Sequence, residues 1–360
     1  MAKSAKYLQI FEMLQKKIRD GEYLYRSPLP SESALIRQFN VSRITVIKAI
    51  NELQRRGLVY RKRGAGTFVT RYAHAEGGRI GLIVPSLSCG EIFPSICQYF
   101  TRFAQSDGFT VLYGDISGTT PIRRAREACT VARSFVEQGV AGVIFQPLAF
   151  IKTKQTVTLE ILRLFDKADI PVVLIDRDTD SGEHDVQYDF VGIDNFAAGR
   201  KLGLHLQAQG ARNIYFLMRP ECASVINDRL YGVQSVLGTL QSDGNVIVAE
   251  PTDVETIARH FRKKKHPDAV VCESDFVAAQ LRNTLDVLGF SVPGDVMLAG
   301  FDDVRCAVTA TPPLTTVHQP CEDIARFAYR ALRDRLQNHL LPIRKILVPA
   351  PLVVRASTRR

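Results

Sequence analysis

Carboxylate, amide and hydroxyl side chains recur directly after four short apolar runs between residues 171 and 303 of the sequence. They are Asp176, Asp194, Asn195, Ser274, Asp275, Asp302 and Asp303. Arg229 adds a guanidinium at the start of a helical segment. Such groups suit a polyhydroxylated ligand, because each can bridge two hydroxyls, and a site of this kind rejects analogues that lack them. Each Asp, Asn or Ser could instead cap a helix, but their recurrence at four junctions favours a ligand site.

The positive charge of the chain is concentrated near its N-terminus. Residues 1–72 hold 15 Lys and Arg against 5 Asp and Glu, whereas residues 73–360 hold 32 of each. The whole net charge of +10 therefore belongs to the first fifth of the chain. A concentrated positive field is typical of a surface that neutralises nucleic-acid phosphates. A solvated basic tail would lack the helical periodicity that this segment shows.

The cysteines and the apolar runs predict a cytoplasmic protein. The seven cysteines are odd in number and form no CxxC pair: Cys89, Cys97, Cys129, Cys222, Cys272, Cys306 and Cys321. This spacing argues against a disulfide framework or a zinc site. The N-terminus has no signal-peptide pattern. The most apolar run, residues 140–151, is too short for a membrane span and is interrupted by Gln146 and Pro147.

Two other classes of protein are disfavoured. An enzyme would need a nucleophile, phosphate or metal motif, and the sequence contains no G-x-S-x-G, G-x-x-x-x-G-K or H-E-x-x-H. His205 and His318 lack an obvious acidic or cysteine partner, so we interpret them as helix-face and loop residues. A transport binding protein would need a signal peptide and no basic head. We therefore expect no catalytic residue, cofactor or metal.

Three helices are predicted before residue 57. Tyr7, Ile10, Phe11, Leu14 and Ile18 share one helical face, and this helix should end near Gly21. A second helix is expected over about 32–39 behind the N-cap Ser31. A third should begin after the N-cap Ser42 and end near Arg56. Two helices joined by so short a turn form a helix-turn-helix.

Two basic surfaces should contact DNA. The outward face of the third helix begins with Arg43, Ile44, Thr45, Ile47 and Lys48. Its first turn is where a recognition helix meets base edges, so Arg43 could bind guanine and an isoleucine could pack on a thymine methyl, with Thr45 and Lys48 on phosphates. The run LVYRKRGAGTFV predicts a hairpin, or wing, and its tip and turn are Arg61, Lys62, Arg63, Gly64 and Gly66.

The N-terminal string LPSESALIRQFNVSRITVIKAINELQRRGLVYRKRGAGTFV resembles the GntR-type winged helix-turn-helix over nearly all of residues 6–70. The resemblance implies a homodimer that reads a palindromic operator. It places Ser33, Arg43, Thr45 and Gly64 at DNA-contact positions, and the helix-initiating Ser31 and Ser42 complete the candidate set. We expect this domain over 1–71 and a linker over 72–79.

The remainder predicts an α/β fold with two lobes. Nine continuous apolar runs, in which apolar and polar residues do not alternate, are separated by helical patterns. Such runs indicate parallel strands that are covered on both faces of the sheet. The strand candidates are 79–84, 109–114, 141–146, 171–176, 190–194, 213–218, 245–250, 268–273 and 295–300. Nine strand-helix units are more than one doubly wound sheet usually holds, so two sheets are expected.

Residues 79–356 resemble the effector domain of the lac and gal repressor family, which is similar to periplasmic sugar-binding proteins. The resemblance rests on RIGLIVPSL, PVVLIDRD, FVGIDNFAAGRKLGLHL, DRLYGV, SDFVAAQ and VMLAGFDDV followed by TPPLTTVHQP. It places Asp176, Phe190, Arg229, Ser274 and Asp302 in an effector pocket. Phe93 could add an apolar ring.

The same resemblance implies that the chain crosses between lobes near 188, 316 and 346. Lobe 1 would comprise about 80–187 and 318–345, and lobe 2 about 188–316 and 346–360. A similar fusion of a GntR-type head to this effector domain occurs in arabinose repressors of the Bacillus type.

The sequence thus predicts a DNA-binding transcriptional regulator whose operator affinity is switched by a small effector. Repression relieved by a sugar is the favoured interpretation. Activation, or a response to a purine or another small metabolite, remains an alternative.

Overall fold

The computed structural model describes residues 2–70, 78–85, 92–118, 120–179, 188–237, 245–262 and 266–359. Most of the predicted linker, and Cys89, lie outside these residues. The elements form an N-terminal head and a sensor domain with two sheets.

The head has three helices followed by a two-stranded hairpin. The elements are α1 (Ala2–Arg19), α2 (Glu32–Phe39), α3 (Arg43–Arg55), β1 (Val59–Lys62) and β2 (Gly66–Val69). The apolar stripe of α1 packs against α3 in a small core that includes Ile10, Leu14 and Ile50. The strands pair antiparallel, with Val59 opposite Val69. This arrangement is a winged helix-turn-helix.

Local capping fixes the turn between α2 and α3. Asn40 ends α2 in the left-handed conformation at φ 46°, and its backbone N–H donates to the Ile36 carbonyl. Ser42 then begins α3 by accepting from the Thr45 backbone N–H at 3.4 Å. Because Asn tolerates positive φ better than most residues, the chain reverses within three residues.

The first sheet of the sensor is entirely parallel. Its order is β13-β7-β6-β5-β3-β4, made by β3 (Arg79–Pro85), β4 (Thr110–Ile116), β5 (Gly142–Phe145), β6 (Val172–Ile175), β7 (Asp189–Ile193) and β13 (Lys345–Val348). The helices on one face are α4 (Phe93–Ser106) and α12 (Cys321–Gln337). Those on the other face are α5 (Pro121–Glu137) and α6 (Lys154–Lys167).

The second sheet repeats this plan with one antiparallel edge. Its order is β14-β12-β11-β10-β8-β9, made by β8 (Ile214–Met218), β9 (Val246–Val248), β10 (Ala269–Cys272), β11 (Met297–Asp302), β12 (Thr315–His318) and β14 (Leu352–Val353). Only β14 runs antiparallel. The helices are α7 (Asn195–Ala208), α8 (Ser224–Gln234), α9 (Val254–Phe261), α10 (Asp275–Val287) and α11 (Arg305–Thr309). The prediction of doubly wound α/β sheets is confirmed.

The chain crosses between the sheets slightly later than expected. Residues 189–193 pair within the first sheet, so the first crossing follows residue 193 rather than 188. Residues 315–318 belong to the second sheet and 345–348 to the first, so the other crossings follow 318 and 348 rather than 316 and 346. The expected positions fell within or next to strands because they were carried over from the resemblance rather than taken from the strand ends of this chain.

All nine expected strands are present, but β12, β13 and β14 were not foreseen. In β13 only Val348 is buried, and β14 has two half-buried residues. Strands of this kind lie at sheet edges, where hydrogen bonds to a neighbouring strand rather than two-sided burial keep them in place.

Candidate functional site

The recognition helix presents an exposed first turn. Ile44 is 79% exposed, and the side chain of Arg43 is 75% exposed. Lys48 is exposed as well and lies over the Tyr7 ring at 4.4 Å, whereas Ile47 is half-buried. An exposed isoleucine gains nothing in water, so this turn has the composition of a contact surface.

The predicted serines divide into caps and a free surface position. Ser31 caps α2 by accepting from the Ala34 N–H at 3.2 Å. The Ser42 hydroxyl caps α3 and also lies 2.9 Å from the Thr45 hydroxyl. Ser33 is exposed within the first turn of α2. Ser31 and Ser42 therefore position the helices, and Thr45 and Ser33 project from them.

Glu32 links the recognition helix to the wing, a role that the sequence analysis missed. Its Oε2 accepts from Arg43 Nε at 3.4 Å and its Oε1 accepts from Arg61 at 3.2 Å. The two arginines come from different elements, so one carboxylate sets their relative position. Only its place in the first turn of α2 could be inferred from sequence, because the partners are 11 and 29 residues away.

The wing tip is an exposed basic turn. Arg61, Lys62 and Arg63 are exposed, as are Gly64 and Gly66. The two glycines have φ of 75° and 119°, which L side chains rarely adopt, and their Cβ positions face open space. Glycine at these positions permits a tight hairpin turn and leaves the surface of the tip without side chains there.

In the sensor, the cleft between the two lobes has an inner compartment of about 80 Å³. Five of the predicted residues lie on its wall: Phe93, Asp176, Arg229, Ser274 and Asp302. Four of them follow or end strands or begin the adjoining helices, so the carboxyl ends of strands from both sheets meet here as expected for open α/β sheets. Arg229 lies in the middle of α8, whereas the sequence analysis expected it at the start of a helix.

Arg229 is the most tightly held of these residues. It is 4% exposed and donates to Asn195 Oδ1 at 2.8 Å and to the Glu273 carbonyl at 2.6 Å. It also lies 3.7 Å from Asp302 Oδ1. A buried guanidinium with these partners is fixed in place and can orient a ligand without reorganising.

Two glycines explain how Arg229 reaches Asn195. A Cβ on Gly199 of α7 would stand 2.1 Å from the Arg229 carbonyl oxygen, and one on Gly232 of α8 would stand 2.1 Å from the Phe196 carbonyl oxygen. The helices can approach this closely only because both positions lack a side chain.

Asp176 and Asp302 both adopt positive φ, at 67° and 111°. Asp176 is 8% exposed and accepts from Gln146 Nε2 at 2.7 Å and from Arg177 Nη2 at 3.0 Å. Non-glycine residues in this region are uncommon and store backbone strain, which often accompanies functional sites. The backbone thus directs both carboxylates into the cleft.

Asp275 does not line the cleft, which corrects its predicted role. It is fully buried, and its Oδ2 accepts from the backbone N–H groups of Asp303 and Val304 at 2.7 and 3.2 Å. It therefore holds the turn that presents Asp302. Burial raises the pKa of Asp275 well above its usual value, and the nearby Asp302 raises this pKa further.

Asp194 and Phe190 are also absent from the described cleft walls. Asp194 is exposed and caps α7 through the Ala197 N–H at 2.8 Å, so the helix-cap interpretation applies to it. Phe190 lies in the core of the first lobe, because it stands three residues before the end of β7 rather than at its carboxyl end. Ser274 is both a cap and a wall residue.

Contacts between the lobes close one side of the cleft, and their residues were not predicted. The Phe150 N–H donates to the Glu221 carbonyl at 2.9 Å, and Lys154 Nζ donates to the Cys222 carbonyl at 2.5 Å. Arg219 lies over the Phe150 ring at 4.2 Å and pairs with Glu273 at 2.6 Å. Apart from Lys154, which begins α6, these residues lie in connections after strands, where no cap pattern marked them.

A larger outer compartment of about 660 Å³ adjoins the inner one. Phe150, Arg177 and Arg219 line both. Its volume falls in the usual range for small-molecule pockets, about 300–1,000 Å³.

Over the described residues, no group of three or more His, Cys, Asp or Glu side chains is arranged to hold a metal ion. The described helices also include none with the length and apolar character needed to cross a membrane.

Two family models match the chain. One described as bacterial regulatory proteins of the gntR family matches residues 6–69. Another, described as a periplasmic binding protein-like domain, matches residues 204–358.

Relatives match over nearly the whole chain. The arabinose metabolism transcriptional repressor of Halalkalibacterium halodurans is 27% identical over an alignment of 384 positions. This alignment covers 98% of this chain and 96% of the relative. The repressor of the same description from Geobacillus stearothermophilus is 25% identical, with 98% of each chain covered.

Solved structures of transcription regulators are similar to this chain in fold. A transcriptional regulator CelR–cellobiose complex has a TM-score of 0.66 at 25% identity, covering 88% of this chain and 91% of the other. The transcription regulator GntR from Chromobacterium violaceum shares the fold, with a TM-score of 0.62 at 24% identity and 78% and 99% coverage. Residues 6–69 thus match a gntR-family regulatory domain and residues 204–358 match a periplasmic binding protein-like domain, and together these matches indicate a DNA-binding transcriptional regulator.

Proposed function

We propose that this protein is a transcriptional repressor that binds a palindromic operator as a homodimer and releases it when a small sugar or sugar-like effector binds in the cleft. The observation that carries the proposal is the pairing of an exposed basic surface in the head with a buried, hydrogen-bonded arginine between the sensor lobes. We further propose that it combines a GntR-type head (1–71), a linker (72–79) and a lac and gal repressor-type sensor (80–360), acts in the cytoplasm, and is not an enzyme.

In the head, Arg43 reads a base edge while the wing tip binds the DNA backbone. The linkage of Arg43 and Arg61 through Glu32 supports a single continuous interface. Ile44 is placed to pack on a thymine methyl, and Thr45, Lys48 and Ser33 to contact phosphates.

In the sensor, Arg229, Asp176 and Asp302 bind the effector hydroxyls. Phe93, which is 4% exposed, supplies an apolar surface beside them. Since the wall residues come from both lobes, an effector that binds them favours the closed arrangement of the lobes. Closure changes the spacing of the two heads in the dimer, with a coupling free energy of about 1–3 kcal/mol.

A binding experiment tests the proposal. Operator fragments are first selected from genomic DNA with the full-length protein, and their affinity is then measured with pentoses, hexoses, sugar phosphates, sugar acids and purines. We expect a change of about five- to a hundredfold with at least one sugar or sugar derivative. A response to purines alone would identify the alternative effector class, and an affinity that none of them alters would contradict the proposal.

A further inference from the structure

Three arginines line the outer compartment of the cleft. Its wall includes Arg124, Arg177 and Arg219. Arg177 pairs with the 8% exposed Asp176, and Arg219 pairs with the 1% exposed Glu273. Two of the three guanidinium charges are therefore balanced by buried carboxylates.

Arg124 is different. Its Nη2 donates to the Phe150 carbonyl at 3.1 Å, and this neutral oxygen is its acceptor among the described residues. Its Nε is buried with no acceptor in the described part of the chain. Among the described residues no carboxylate therefore pairs with Arg124, so a negative group on the occupant of the compartment could balance the charge of its guanidinium.

The neighbouring backbone adds to this field. Arg124 lies in the first turn of the 17-residue helix α5, and Pro121, its first residue, lines the same compartment. A helix N-terminus favours a negative group nearby. The two carboxylates on the wall, Glu221 and Glu250, are exposed and so are screened by water at the rim.

We propose that the effector carries an anionic group, a phosphate or a carboxylate, and that the outer compartment binds this group through Arg124. The inference rests on the proposed function and narrows it, because it assigns the effector to the phosphorylated or acidic sugars. The hydroxyl groups of the effector then lie in the small inner compartment beside Arg229 and Asp302. The anionic group lies in the outer compartment, and Phe150 lines both compartments.

Matched ligands test this assignment on the full-length protein. Glucose, glucose 6-phosphate and gluconate form one set, and ribose and arabinose with their 5-phosphates form two others. Binding is followed by calorimetry and by operator affinity. We expect an anionic member of a set to bind at least tenfold more tightly than its neutral partner, with an affinity that weakens as salt rises. Preference for the phosphate or for the carboxylate identifies which anion the site takes.

A pair of variants locates the anion. Arg124→Gln should weaken the binding of the anionic ligand on the order of tenfold. The difference in affinity between the anionic ligand and the neutral sugar should then largely disappear. Arg126→Gln removes the same charge from an exposed position on the same helix, away from the cleft wall, and should change affinity less than twofold.

The outcomes separate this inference from the proposed function. The anionic assignment would be overturned if a neutral sugar bound best, changed operator affinity and kept its affinity in Arg124→Gln. The proposed repressor function would still stand after that result. An operator affinity that no sugar, phosphate or acid changes would overturn both.

Discussion

The proposed DNA-binding surface of the head and the inner wall of the cleft both include arginines, but the surroundings of these arginines differ. Arg43 has a side chain that is 75% exposed and one carboxylate partner at 3.4 Å, whereas Arg229 is 4% exposed and has two hydrogen bonds plus Asp302 nearby. An exposed guanidinium adapts to a uniform polyanion and its attraction is weakened by salt. A buried one is fixed, so it discriminates between small ligands by geometry.

Removing the wing-tip charges should have the largest effect. Substitution of Arg61, Lys62 and Arg63 by Gln should weaken operator binding on the order of a hundredfold, because contacts with DNA phosphates are lost. Each lost contact should also reduce the magnitude of the slope of log K against log salt by about 0.9. The measurement is DNA affinity across a salt series.

Its control removes three exposed charges from the sensor by changing Lys167, Arg259 and Arg305 to Gln. This variant should keep the wild-type slope. Equal slopes for both triple variants would show that the wing does not contact DNA.

Removal of the buried guanidinium should have the next largest effect. Arg229→Met leaves Asn195 and the Glu273 carbonyl without a donor and Asp302 without its cation, which should cost about 3 kcal/mol of sensor stability. The operator response to effector should be lost. Calorimetric melting and operator titration measure the two effects.

Arg229→Lys, which keeps the charge, should recover stability better than the response. Arg259→Met, at an exposed site in the same lobe, should change neither. A full effector response in Arg229→Met would remove this residue from the site.

A change at Glu32 should be smaller and should affect specificity. Glu32→Gln weakens the link between Arg43 and Arg61 and removes a negative charge from the interface. Non-specific DNA binding should therefore tighten while the ratio of operator to non-specific affinity falls by about two- to fivefold.

Glu52→Gln is the matched control, since Glu52 pairs with Arg55 and Arg56 at the opposite end of the recognition helix. Hydrogen bonds from these arginines lower the pKa of Glu52 to about 2. The specificity ratio should not change in this variant, and a fall equal to that of Glu32→Gln would refute the proposed linkage.

These contrasts also explain what the sequence could reveal. The helices and caps of the head depend on neighbours within four residues, as with Ser31 and Ala34 or Ser42 and Thr45, so periodicity and capping patterns located them. The central strands β5, β6, β7 and β10 were recognisable because every residue in them is buried. Asp176 and Asp302 were found since they stand at strand ends, whereas Arg229, in the middle of α8, was found through the resemblance.

The remaining site residues depend on contacts between distant segments. Phe150 meets Glu221 across 71 positions of sequence, and Glu32 meets Arg61 across 29. Asp275 and Asp302 occupy similar positions after strands, yet only Asp302 faces the cleft. The difference is set by the turn at 302–304, where backbone N–H groups turn inward to Asp275, and no local pattern records it.

The smallest predicted effect concerns this turn and depends on pH. Because burial raises the pKa of Asp275, the folded state binds a proton more tightly than the unfolded chain, and stability falls as pH rises from the ordinary aspartate pKa through the raised value. Asp275→Asn removes this penalty while its amide oxygen can still accept from Asp303 and Val304. Melting temperature should rise on the order of 2–4 °C at pH 7.5 and change little near pH 4.

Asp253→Asn provides the opposite sign. A hydrogen bond with Thr256 lowers the pKa of the exposed Asp253, so this substitution should lower the melting temperature slightly at pH 7.5. A fall in melting temperature at pH 7.5 for Asp275→Asn would show that Asp275 is held as a required carboxylate.

The reciprocity of binding tests the central account most directly. Once an effector is identified, its Kd is measured with and without saturating operator, and the operator Kd is measured with and without saturating effector. If the cleft and the head are coupled, both ratios should be equal and lie between about 5 and 150. Two ratios of one would mean that the head and the cleft act independently, and the account would be contradicted.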